Sequence, residues 1–152
     1  MKIFNLKTFV GVSLLSSLGL AAVTISPATA NDWVSQVQAQ LIMAAGAVGL
    51  GGYQPTHSPN IGQLRDNTYK NISINLRSGN TYGFVGVCDA DCGDLDLRLL
   101  DSNGNVIDSD VEYDDHPMVS VTPAWSDRYT VQVGMPSCNA SYCYYGVGAF
   151  GR

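Results

Sequence analysis

The sequence predicts an all-β fold: an antiparallel β-sandwich, jelly-roll-like, of about seven to eight strands, preceded by a short N-terminal helix. Three observations support this. From residue 71 onward apolar and polar residues alternate with a period of two, the pattern of strands with one buried face. The alternating runs are short and are separated by Gly, Asn, Asp and Pro, which favour turns. Four cysteines stand in two close pairs behind an apparent export signal, as in small domains pinned by disulfides.

The chain begins with Lys2 and Lys7, an apolar run from Phe9 to Val23, and the small-residue site Ala28-Thr29-Ala30. Together these read as a signal peptide over residues 1–30, cleaved after about Ala30, with the product secreted or periplasmic. The mature chain, residues 31–152, is the size of one domain. Residues 31–67 form a helix and linker, and 68–152 the β-sandwich. Asn31 or Asp32 can cap a helix that starts at Trp33. Trp33, Val34, Val37, Leu41 and Ile42 give that helix an apolar stripe as far as about Val48. Residues 49–67, with Gly51-Gly52, Pro55, Pro59 and Gly62, read as a linker by composition.

The strands follow in order. Ile72, Ile74 and Leu76 alternate with Asn71, Ser73 and Asn75, and Ser78-Gly79-Asn80 turns the chain into a strand over Tyr82–Val87. Leu95, Leu97 and Leu99 alternate with Asp94, Asp96 and Arg98, so one face is apolar and the other charged. Asp101-Ser102-Asn103-Gly104 turns into Val106-Ile107. Val119 and Val121 lie on a further strand that ends at Pro123, Tyr129, Val131 and Val133 on another, and Tyr144–Phe150 closes the chain. The eight tyrosines suit such a sandwich, because a ring can be buried while its hydroxyl stays wet.

Charge narrows the function. Thirteen acids against six basic residues leave the mature chain at a formal −7. Nucleic acid is excluded as a partner, since its recognition needs clustered Lys and Arg. No segment after the signal reaches the roughly 20 apolar residues that span a bilayer, so the mature form has no membrane span. Ten of the thirteen acids fall between Cys88 and Asp115. So much like charge repels itself unless water, salt or a cation offsets it.

Cys88/Cys92 and Cys138/Cys143 suggest two disulfides, and three connectivities are open. Pairing each cysteine with its neighbour closes two small loops worth roughly 2 kcal/mol each. A zinc site of four thiolates would call for tighter knuckles and a reducing compartment.

The segment DLDLRLLDSNGNVIDSD, then Val119-Ser120-Val121-Thr122-Pro123 and Asp127-Arg128-Tyr129-Thr130-Val131-Gln132-Val133, resembles the bacterial pre-peptidase C-terminal (PPC) domain over roughly residues 68–150. That family has an acid-flanked leucine strand, a D-x-N-G turn, a T-P step and a G-x-Y-x-V-x-V strand. Here Asp127-Arg128 replaces the Gly of the last motif. The resemblance implies a small, non-catalytic β-sandwich, in this case a stand-alone secreted form. The related domains of bacterial collagenases hold calcium with side-chain carboxylates.

Calcium takes six to eight oxygen ligands and tolerates irregular geometry. The metal-site candidates are Asp89, Asp91, Asp94, Asp96, Asp114 and Asp115. Asp94 and Asp96 share one strand face about 6.5–7 Å apart, and the Asp114-Asp115 loop could fold over them. Asp101, Asn103, Asn105 and Glu112 partly match an EF-hand loop. Val106 stands where that loop needs glycine, so a hairpin turn is the better reading. His57 and His116 belong to no catalytic motif, and Ser120 with His116 and Asp115 is close in sequence only. The expected function is an exported, non-catalytic binding or accessory module with a calcium-binding acidic edge. Its partner would be an extracellular or periplasmic protein or polysaccharide. A structural surface protein whose acids only solvate it is the alternative, and a small hydrolase or peptidase inhibitor a more distant one.

Overall fold

The computed structural model describes residues 30–152, with side chains from Val37 onward. The export signal therefore lies outside the described residues, apart from the backbone of Ala30, and so do the side chains of Trp33 and Val34. One helix, α1 (Ala30–Ala47), precedes nine strands: β1 (Gln54–Pro55), β2 (Asn60–Leu64), β3 (Thr68–Leu76), β4 (Tyr82–Cys88), β5 (Cys92–Leu100), β6 (Val106–Asp110), β7 (Met118–Val121), β8 (Asp127–Cys138) and β9 (Cys143–Gly151).

The strands form two antiparallel sheets, a five-stranded one in the order β1-β9-β4-β7 with β2 also on β9, and a four-stranded one in the order β3-β8-β5-β6. The pairs β5·β6, β4·β7, β3·β8 and β2·β9 nest inside one another. This is one long hairpin, β2–β5 against β6–β9, rolled up so that β4·β9 and β5·β8 also pair. Such rolling produces the jelly-roll sandwich.

Alternation accounts for the core between the sheets. Leu95, Leu97 and Leu99 of β5 are fully buried there with Val131 and Val133 of β8, facing Phe84, Val119 and Tyr145 from the other sheet. The four glycines with positive φ sit where a chain reversal needs them, among them Gly79 and Gly104 in the two anticipated hairpin turns.

The outer face of the five-stranded sheet is also buried, because α1 lies across β4 and β9. Leu41, Ala44, Ala45 and Leu50 pack on Val85, Val87 and Phe150. This explains why β4, YGFVGVC, shows no polar alternation. The helix comes in over glycine: a side chain at Gly146 would run into Val37, and one at Gly148 would press on Leu41.

The stripe differs from the anticipated one. Val37, Leu41, Ala44, Ala45 and Val48 face the sheet, whereas Ile42 is 59% exposed. One residue is a turn of about 100° on a helix, and Ala44 and Ala45 admit the closer approach. Asn31 and Asp32, the anticipated caps, lie within the helical span Ala30–Ala47. It ends in a Schellman motif: the Leu50 amide bonds the Ala45 carbonyl at 2.8 Å, and the Gly49 amide bonds that of Gly46 at 3.4 Å.

Residues 49–67, read as a linker, carry β1 and β2. Both lie end to end along one edge of β9. β1 is exposed and β2 is half-buried along most of its length, so neither shows a clean alternation.

Both disulfides join neighbouring cysteines, Cys88–Cys92 and Cys138–Cys143. Each crosses from one sheet to the other, β4 to β5 and β8 to β9. Cys92 and Cys138 are register partners, so the two bridges lie side by side at one end of the sandwich.

Candidate functional site

The structure divides the acidic run by what each carboxylate touches. Asp101 is spent on its own turn: Oδ1 accepts the amides of Asn103 (2.9 Å) and Asn105 (2.8 Å), and Oδ2 accepts the Asn105 side-chain amide (3.0 Å). These bonds, the Asn105 side chain first, hold its carboxyl below the ordinary value. The segment that partly matched an EF-hand loop is the β5–β6 hairpin turn.

Asp108 and Asp110 cap backbone. They face the Leu99 and Leu97 positions of β5. From there Asp108 Oδ2 accepts the Ser120 amide (2.7 Å) and Asp110 Oδ2 the Met118 amide (2.8 Å), both on the other sheet. This capping role was not among those anticipated for the acidic run. The phase was legible, since Asp108 and Asp110 share a face two residues apart on a short edge strand. Inward-pointing charge there is a known way of closing an edge.

Asp94 and Asp96 project from β5 on the side opposite Leu95 and Leu97, yet each is only 7% exposed. The chain after β6 folds back along β5, and the Leu95 amide bonds the Asp114 carbonyl at 2.8 Å. Burial pushes the Asp94 carboxyl above its ordinary value, against the pull of the Asp114 and Leu95 amides, and the charge of Asp114 adds to the upward push. Burial also raises Asp96. Arg98, 3.5 Å away, opposes that shift, while Asp94 and Asp110 reinforce it. Asp94 Oδ1 is fully buried and accepts no hydrogen bond. A buried acceptor left unpaired is costly, and a charged one more so.

Of the six sequence-predicted metal residues, then, the structure brings Asp94, Asp96 and Asp114 into one electrostatic neighbourhood. Asp89 and Asp91 belong to another place, an open hollow at the disulfide end lined also by Ser141, Tyr142 and Tyr144. There Asp89 Oδ2 accepts the Tyr144 amide at 2.9 Å. Asp115 turns to His116 Nδ1. Among the described residues no three His, Cys, Asp or Glu side chains converge into a ready cation cage. Two buried carboxylate oxygens among the described residues accept no hydrogen bond: Asp94 Oδ1, within reach of the Asp96 and Asp114 charges, and Asp89 Oδ1 at the disulfide end.

The two histidines are exposed. His57 Nδ1 contacts Thr56 Oγ1 at 2.9 Å, and His116 pairs with Asp115, so each bonds its neighbour in sequence. Among the described residues no helix is long and apolar enough to cross a membrane.

No protein-family profile matches the chain, and no curated relative matches it. Among solved structures it is similar to Aeromonas hydrophila PliG, a periplasmic lysozyme inhibitor of g-type lysozyme. The identity is 10%, the match covers 62% of this chain and 84% of that one, and the TM-score is 0.47. A likeness this slight says nothing about what the present chain does.

Proposed function

We propose that this chain is an exported, non-catalytic accessory module of the PPC type that takes calcium at the covered acidic edge. The observation that carries the ion site is the Asp94 carboxylate, more than nine-tenths buried with one oxygen unpartnered. A divalent cation supplies the positive charge that this oxygen lacks. Asp94, Asp96 and Asp114 are the residues that would hold it, with water and backbone carbonyls filling the remaining positions.

The other parts of the reading have separate supports. Two formed disulfides suit an oxidising compartment. The quoted PPC-like segment spans β5, its turn and β6, the strand pair that carries Asp94 and Asp96. Both histidines are exposed, and each is engaged by the residue before it, His57 by the Thr56 hydroxyl and His116 by the Asp115 carboxylate.

Thermal melts of the mature chain with calcium or with chelator test the ion site. Binding to the native state alone raises the melting temperature progressively with concentration. Asp94→Asn combined with Asp96→Asn is expected to abolish that rise. No rise at millimolar calcium, or a rise that survives the double substitution, overturns the site. With no rise at all, the alternative reading stands, a structural surface protein whose acidic edge is solvated.

A further inference from the structure

The two disulfides close two small loops at the same end of the sandwich. Asp89 and Asp91 stand in the loop closed by Cys88–Cys92, and Ser141 and Tyr142 in the one closed by Cys138–Cys143. The loops are also tied to each other and to β9. The Asn139 amide bonds the Asp91 carbonyl at 2.8 Å, and the Asp89 amide bonds the Tyr144 carbonyl at 3.1 Å. A site built from them is held in shape before any ligand arrives, which lowers the ordering cost of binding.

The open hollow at this end has a volume of about 310 Å³, and Asp89, Asp91, Tyr142 and Tyr144 line it with the small residues Ala140 and Ser141. Both tyrosines are exposed. Their ring centroids stand 5.7 Å apart and their planes cross at 85°. Stacking a sugar calls for one flat platform, whereas two rings at right angles suit a compact cation, which the negative ring faces attract. Charge points the same way. Two carboxylates line the hollow, and among the described residues no Lys, Arg or His does. One of those carboxylates is also short of a donor: Asp89 Oδ2 accepts the Tyr144 amide at 2.9 Å, while Oδ1 is buried and accepts no hydrogen bond among the described residues.

We propose that this hollow binds a primary ammonium on an aliphatic stem, the chemistry of a lysine side chain presented by a partner protein. The ammonium donates charge-assisted hydrogen bonds to Asp89 and Asp91, and the stem lies along the rings of Tyr142 and Tyr144. Calcium is the poorer fit, because it takes six to eight oxygens and much of the wall is aromatic ring. A quaternary ammonium is poorer too, since it has no N–H to donate to a carboxylate. The site is separate from the acidic edge at Asp94 and Asp96 and does not depend on an ion there.

The test is an NMR titration of the mature chain with Nα-acetyl-lysine methylamide, in chelator. Saturable shifts are expected at the amides of Asp89, Asp91, Tyr142 and Tyr144, with a Kd in roughly the millimolar range. The norleucine analogue, which keeps the stem without the charge, and tetramethylammonium are expected to bind far more weakly. Tyr142→Leu, which keeps an apolar side chain but removes the ring, should weaken binding about three- to fivefold. Asp91→Asn should weaken it about threefold or more. Both variants change exposed residues, and an unchanged melting temperature confirms that they fold. Absence of saturable shifts at these amides overturns the proposal, as does unchanged affinity in either variant or equal binding of the norleucine analogue. Tetramethylammonium binding as tightly overturns the primary-ammonium assignment. Calcium that moves the same amides in wild type but not in Asp91→Asn assigns the hollow to a metal and overturns the proposal as well.

Discussion

The Asp110 carboxylate accepts the backbone amide of Met118 at 2.8 Å, and so fastens the edge strand of one sheet to the edge strand of the other. Asp108 repeats the bond at Ser120, two residues along each strand. An edge amide of β7 that would otherwise face water or a foreign strand is thereby satisfied within the molecule. Half-exposed carboxylates do this more cheaply than buried ones, since they stay partly hydrated.

The first prediction follows from that pair. Asp110→Ala leaves the Met118 amide without its acceptor and should cost about 1–2 kcal/mol. Asp110→Asn keeps an acceptor oxygen and should cost less. Urea denaturation of the three proteins measures both, and equal stability of wild type and Asp110→Ala would refute the capping role.

Helix α1 gives a second prediction, because Leu41 and Ile42 are neighbours with opposite environments. Leu41 is 2% exposed against the five-stranded sheet, and Leu41→Ala should cost roughly 2–4 kcal/mol. Ile42→Ala should stay within about 0.5 kcal/mol. A reversed order would mean that the helix docks by another face.

The disulfides give a third. Each closes a short loop, so replacing one pair by serine should cost about 2 kcal/mol. Both bridges hold the same two sheets together at the same end. The second removal should therefore cost more than the first, because residues that share partners do not contribute independently. Additive losses in a double-mutant cycle would show that the bridges act separately.

Acid stability gives a fourth. Asp94 and Asp96 have raised carboxyl values, so above 3.8 the folded chain holds protons that the unfolded chain has released. Without calcium, their contribution to stability is present below 3.8 and is lost as the pH rises through the raised values. Asp101 and Asp127 behave in the opposite way: their stabilisation is present above 3.8 and is lost as the pH falls through their lowered values. Asp94→Asn with Asp96→Asn should flatten the decline above 3.8 and leave the loss in stronger acid intact. Denaturation in chelator across the acid range measures both limbs.

The candidate site was partly readable from residue order. Period-two alternation puts Asp94 and Asp96 on one face, and it carries the Asp114-Asp115 segment as a loop able to return. The burial of Asp94 was not readable. It depends on the Leu95 amide meeting the Asp114 carbonyl, a contact across nineteen positions that no local pattern encodes. Asp89 and Asp91 look equivalent to Asp94 in sequence, yet the turn at Cys88–Cys92 directs them to the disulfide end.

Chain order by itself determined the all-β class, the hairpin turns at Gly79 and Gly104, the inward leucines of β5 and the polar face of β3, because each follows from side-chain period or backbone freedom within a few residues. Only the tertiary structure decided the rolling of the sheets and the docking of α1 over Gly146 and Gly148. It also recruited β1 and β2 to the edge of β9, and divided the carboxylates among turn, sheet edge and covered strand face. Those outcomes depend on which surfaces meet across the chain. A carboxylate's role is set by the amide, cation or water that comes to face it, and that neighbour stands far away in sequence.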